Sequence, residues 1–163
     1  MIPSYNFTVF ISHQHEDQIR LAGVLDLLKF INNNVKDAVS RQQGKVPTIS
    51  FSAWIDSENI VPGESWRENI IKAIQTSDIF IVIVPTQPSV YVALECGMAM
   101  AFDKPIIPIS HSKEDMTKYG LEFLQGLIVS NLSGENDEAK VKHLFSLFSK
   151  ALLSAINRTM KNG

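Results

Sequence analysis

Only one of the 163 residues is a cysteine, Cys96, so no intramolecular disulfide can form and the expected setting is a reducing cytoplasm. Runs of basic residues are missing too. Fifteen Lys and Arg stand against seventeen Asp and Glu, for a net charge of -2. That balance leaves no electrostatic footprint for a phosphate backbone or an acidic membrane surface, so no nucleic-acid partner is expected. No apolar segment approaches the roughly 18 uninterrupted residues that a membrane helix needs. The opening "MIPSYNFTVF" lacks a basic region ahead of a long apolar core, so neither a secretory signal nor an anchor is expected. The glycine-rich patterns GxGxxG and GK[S/T] are absent, which excludes a Rossmann dehydrogenase and a P-loop NTPase. Repeats, low-complexity tracts and linkers are lacking as well, and one domain over 1–163 is the expectation.

What is present reads as a globular α/β chain, with 45% hydrophobic residues and mixed charge. Short β-rich runs alternate with longer segments of helical period, the pattern of a parallel sheet covered by helices on both faces. The strands are expected at 6–12 ("NFTVFIS"), 47–55 ("PTISFSAWI"), 78–84 ("DIFIVIV"), 104–110 ("KPIIPIS") and, more weakly, 126–130 ("GLIVS"). Leu21, Val24, Leu25, Leu28 and Ile31 give the first helix its apolar face, and the stretch 32–45 ("NNNVKDAVSRQQGK") reads as a loop. Pro62 and Gly63 mark a turn within a long loop, after which Ser65 and Glu68 have capping-box spacing ahead of Trp66, Ile70, Ala73 and Ile74. The last helix carries Val141, Leu144, Phe145, Phe148, Leu152 and Ala155 on one face.

One residue breaks the pattern. In "VYVALECGMAMAFDKPII" (90–107) the chain is almost wholly apolar up to Phe102, yet it holds the carboxylate of Glu95. An unpaired buried carboxylate costs several kcal/mol or changes its protonation, so it must be compensated or used. In a doubly wound sheet, ligands settle outside the carboxyl ends of the strands near the topological switch point. Here that edge comprises Ser12 and His13, Trp54 to Asp56, and Pro85 to Ser89. If Ser89 caps the helix, Glu95 lies less than two turns in, with Tyr91 on its face four residues earlier.

Other conspicuous residues have plainer readings. Cys96 suits a small buried hydrophobe. His13 and His15 in "HQHED" lack a third ligand, so polar loop chemistry and an acidic helix start fit them better than a metal site. Trp54 and Trp66 read as core and loop anchors, although Trp54 ends a strand at the ligand edge and could do both.

The order "YNFTVFISH", then "WIDSENIVPGESWRENIIKAIQTSDIFIVIV", then a serine six residues before the glutamate in "SVYVALE", resembles a TIR (Toll/interleukin-1 receptor) domain. The likeness is greatest to the single-domain bacterial kind of Thoeris-like antiviral defence. By motif it covers roughly residues 5 to 110. It implies a flavodoxin-like three-layer α/β/α fold with a five-stranded parallel sheet in the order 2-1-3-4-5. It implies further an NAD glycohydrolase or ADP-ribosyl cyclase that splits the nicotinamide ribosyl bond, with NAD as substrate and no other cofactor. Glu95 matches the family's required glutamate, Ser89 its serine, and 57–64 its mobile BB loop. Self-association through TIR–TIR contacts and a downstream effector sensing the product are implied partners. Animal-type members usually carry Trp where this chain has Tyr91. The segment "ECGMAMAFDKPII" also resembles nucleoside 2-deoxyribosyltransferases, whose glutamate attacks a nucleoside sugar, although "VPTQPSV" lacks the acidic and Gly-Thr-containing loop that those enzymes usually show.

The chemistry accommodates a single carboxylate. O-glycoside hydrolysis uses two carboxyl groups, one of them to protonate a poor leaving group. Nicotinamide leaves NAD as a neutral molecule from a cationic pyridinium, so a lone Glu that stabilises positive charge at the anomeric carbon suffices. Two function classes remain open: an NAD-consuming enzyme built on Glu95, and a non-enzymatic scaffold that binds other TIR domains. Catalysis is therefore assigned to Glu95, and substrate binding to Ser12, His13, Trp54, Asp56, Ser89 and Tyr91, with no metal.

Overall fold

The structure, a computed structural model, describes residues 4–41, 48–55, 65–128 and 138–162. Five strands form one parallel sheet: β1 (Ser4–Ser12), β2 (Thr48–Trp54), β3 (Ile79–Ile83), β4 (Ile106–Ser110) and β5 (Leu127–Ile128). Their order is β2-β1-β3-β4-β5, as expected for a flavodoxin-like fold. β3 lies at the centre with all five residues buried on both faces, which is why "IFIVI" reads as a continuous apolar run.

Alternation along the strands divides the core in two. Phe7, Val9 and Ile11 of β1 and Ile79, Ile81 and Ile83 of β3 face one side. There they meet α1 (Gln18–Arg41) and the last helix, α5 (Glu138–Asn162), through Leu21, Val24, Leu28, Phe148, Leu152 and Ala155. Phe10, Phe80 and Val82 face the other side, which is covered by α2 (Trp66–Thr76) and α3 (Val90–Ala101). A short α4 (Lys113–Thr117), not expected from the sequence, completes that layer with Met116.

The expected loop at 32–45 is corrected over 32–41, where α1 continues to Arg41, and residues 42–45 lie outside the described residues. Asparagine is a poor helix former, but the Asn32 side chain accepts from Phe51 N–H at 2.8 Å and donates to Phe51 O at 2.9 Å. It thereby satisfies the free backbone of edge strand β2. Val35, one turn beyond Ile31, continues the apolar face beside Ile49 and Phe51. Tertiary contacts override local propensity here. Strand five is described only at Leu127 and Ile128; Asp56, the loop 57–64 and residues 129–130 lie outside the described residues.

The "SD" motif serves the fold. Asp78 Oδ2 accepts from Thr8 N–H at 2.7 Å and Asp78 N–H donates to Thr8 O at 2.9 Å, tying β1 to the start of β3. Lys104 Nζ donates to Gln75 O and Ser77 O at 2.7 and 2.6 Å, closing the end of α2 from the other side. Burial lowers the Lys104 pKa, opposed by the charge of Asp78.

Candidate active site

The site follows from two periodicities. Along β1 the period of two puts Ser12 on the same face as Phe10, under α2 and α3. Along α3, the buried residues Val92, Glu95, Cys96 and Ala99 recur at three-and-four spacing, so Glu95 occupies a position on the inward stripe. The two meet: Ser12 Oγ donates to Glu95 Oε2 at 2.5 Å, with Ser12 1% and Glu95 6% exposed. A hydroxyl donating to a carboxylate offsets part of the solvation that Glu95 loses on burial.

The helix that carries Glu95 starts as expected. Ser89 is its N-cap, and its hydroxyl accepts from Val92 N–H at 3.4 Å. Outside the carboxyl ends of β1 and β3, at the switch point of the sheet, lies an open cleft of about 500 Å³. His13, Gln14, His15, Glu16, Trp66, Ser89, Tyr91 and Glu95 line it. His13 Nδ1 lies 3.3 Å from Ile11 O, within hydrogen-bond distance. The turn bearing these residues is secured by Arg20, which pairs with Asp17 and donates to Val84 O at 3.0 Å at the exit of β3.

Of the seven residues that the sequence places at the site, His13, Ser89, Tyr91 and Glu95 line one cleft, and Ser12 stands behind Glu95 as its hydroxyl partner. Trp54 is not among the lining residues; it stacks on Phe10 with centroids 4.8 Å apart and planes at 16°. Asp56 lies outside the described residues. Trp66, read as an anchor, is instead 43% exposed and meets Tyr91 edge to face at 5.3 Å, so that an aromatic corner flanks the cleft. Its position, just after a Pro-Gly turn at the ligand edge, was the available signal. Gln14, His15 and Glu16 were also missed as lining residues, because a turn's course is not written in its periodicity.

Cys96 is 1% exposed, and burial, then the charge of neighbouring Glu95, push its thiol pKa up to about 12. It is a packed hydrophobe and not a nucleophile. Among the described residues, no group of three or more His, Cys, Asp or Glu could hold a metal ion.

A parallel sheet between two layers of helices, with a buried carboxylate beside a cleft at its switch point, defines a flavodoxin-like α/β domain. The sequence profile of the TIR domain matches residues 45–145, and the chain belongs to the TIR domain family. No curated protein matches it significantly. Among the described residues, no helix is long and apolar enough to cross a membrane.

Proposed function

We propose that this TIR domain cleaves NAD at the nicotinamide N-glycosidic bond. Its family includes NAD-cleaving enzymes. The observation that carries the reading is the carboxylate of Glu95. It sits on the buried stripe of an otherwise uncharged helix, is held by Ser12, and borders an open cleft. Such a group stabilises positive charge at the anomeric carbon while neutral nicotinamide departs without an acid. Ser89, Tyr91 and His13 flank the substrate in the cleft. Trp54 and Asp56 are proposed to take part in substrate binding as well. Water as nucleophile gives ADP-ribose and an internal hydroxyl gives a cyclic isomer. The product would act as a signal to a downstream effector, in the cytoplasm, as part of bacterial antiviral defence.

A second reading, a TIR–TIR interaction scaffold, draws on Val90 and Leu94, apolar residues of α3 that are 74% and 58% exposed. A deoxyribosyltransferase-like activity would use the same glutamate on a nucleoside sugar. Incubation with NAD and, separately, with deoxynucleosides, followed by chromatography of the released base, separates the three. Nicotinamide released from NAD supports the proposal. Base released only from deoxynucleosides favours the transferase, and no release from either favours the scaffold.

A further inference from the structure

The loop between β3 and α3, "PTQPS" (85–89), supplies one wall of the cleft through Ser89. Pro85 and Pro88 have no N–H, so this loop has few backbone donors with which to fix itself. Residues 86–88 are exposed, yet three of the loop's backbone groups are held from one place, the two residues that follow α4. Tyr119 Oη accepts from Ser89 N–H at 3.0 Å and donates to Gln87 O at 3.3 Å. Lys118 Nζ donates to Thr86 O at 2.8 Å. Both residues are themselves fixed. Tyr119 is 7% exposed, within the core layer that contains Val92 and Cys96 of α3. Lys118 is held by Asp115 Oδ1 at 2.7 Å, and Asp115 Oδ2 accepts from Ser112 Oγ at 3.0 Å. One set of polar contacts thus runs from Ser112, just past β4, through Asp115 and Lys118 to Thr86, and a second runs from Tyr119 to Gln87 and to Ser89, the residue that caps the Glu95 helix.

We propose that Tyr119 and Lys118 are positioning residues that hold the loop 85–89 as a preformed wall of the cleft and so set its affinity for NAD, an inference that rests on the NAD reading above. Neither residue lines the cleft. Their action passes through Ser89, whose N–H would be left buried and unpaired without the Tyr119 hydroxyl. Glu95 is anchored separately, by Ser12. Loosening the wall therefore weakens substrate binding and leaves the charge that acts in the transition state in place.

The test compares the parent with Tyr119→Phe, which keeps the ring and removes the hydroxyl, and with Lys118→Met. In nicotinamide release, Tyr119→Phe is expected to raise KM for NAD about tenfold and Lys118→Met about threefold, with kcat within about twofold of the parent. Placed in a Glu95→Gln background, where cleavage is slowed at least about a hundredfold, Tyr119→Phe should raise the equilibrium Kd for NAD by a similar factor. Hydrogen exchange at the Ser89 amide should quicken at least about tenfold against the amides of β3. A residue that merely supports the fold would lower the melting temperature and leave KM and Kd of the folded protein unmoved. That result, or a fall in kcat alone, overturns the inference even where NAD is cleaved. Should the parent bind NAD without cleaving it, the cleavage reading falls, and the inference stands only if Kd still responds to Tyr119→Phe. A parent that neither binds nor cleaves NAD overturns both.

Discussion

The hydroxyl of Ser12 donates a 2.5 Å hydrogen bond to the carboxylate of Glu95, joining the last residue of β1 to a helix 83 residues further along the chain. Two buried polar groups thus meet at the sheet edge where the cleft opens. Desolvation strengthens the field of the carboxylate at whatever lies before it, and the hydroxyl fixes its direction.

Glu95→Gln retains size and hydrogen-bonding capacity and removes the charge. Nicotinamide release from NAD should fall by at least about a hundredfold, as loss of a group acting in the transition state requires. The melting temperature should stay the same or rise slightly, because a buried charge placed for catalysis burdens the native state. A variant destabilised by about 3 kcal/mol or more that keeps its rate per folded molecule would assign the carboxylate to the fold.

Ser12→Ala removes the hydroxyl that donates to the Glu95 carboxylate. Hydrogen bonds to charged groups contribute about 1.5–3 kcal/mol, which corresponds to a loss of about ten- to a hundredfold in kcat. Ser12→Thr keeps the hydroxyl and should recover part of the rate. Equal rates for all three proteins in a steady-state assay would remove Ser12 from the site.

Cys96 should resist thiol reagents. With its pKa pushed up to about 12 and its side chain buried, the folded protein at pH 8 is expected to react with an aromatic disulfide at least about a hundredfold more slowly than the unfolded chain. Rapid modification of the native protein, followed by absorbance, would contradict the packing of α3.

Stability in acid should depend on Asp115. The hydrogen bond from Lys118, with a smaller contribution from Ser112, holds its carboxyl pKa below the ordinary 3.8. As pH falls below 3.8 the unfolded chain takes up this proton first. The contribution of Asp115 is therefore complete above that value and is lost as pH drops through the lower folded value. Melting temperatures followed from pH 5 down to about pH 2 should decline more steeply for the parent than for Asp115→Asn; parallel curves would show that this pair is energetically silent.

Assembly gives a final prediction. If neighbouring TIR units complete the nucleotide site through 57–64, the specific activity should rise with protein concentration. A rate strictly proportional to concentration in a verified monomer, measured over a hundredfold range, would rule out that arrangement.

The order of strands, the two-sided burial of "IFIVI" and the singular position of Glu95 were legible in the chain. The last two depend on local periodicity, whereas the strand order came with the resemblance to the TIR family. The Ser89 cap was legible because a cap and the N–H it satisfies lie three residues apart. Asn32 misled, because three asparagines in a row favour a loop until an edge strand from elsewhere offers one of them a backbone to pair with. The pairing of Ser12 with Glu95, the turn of Trp66 towards Tyr91, and the grip of Tyr119 on Ser89 were decided only by tertiary structure. These contacts join residues 83, 25 and 30 positions apart, on elements whose relative placement is fixed by the packing of a shared core. No local pattern encodes that placement, because side chains so far apart meet only after the sheet has formed and the helices have closed over it.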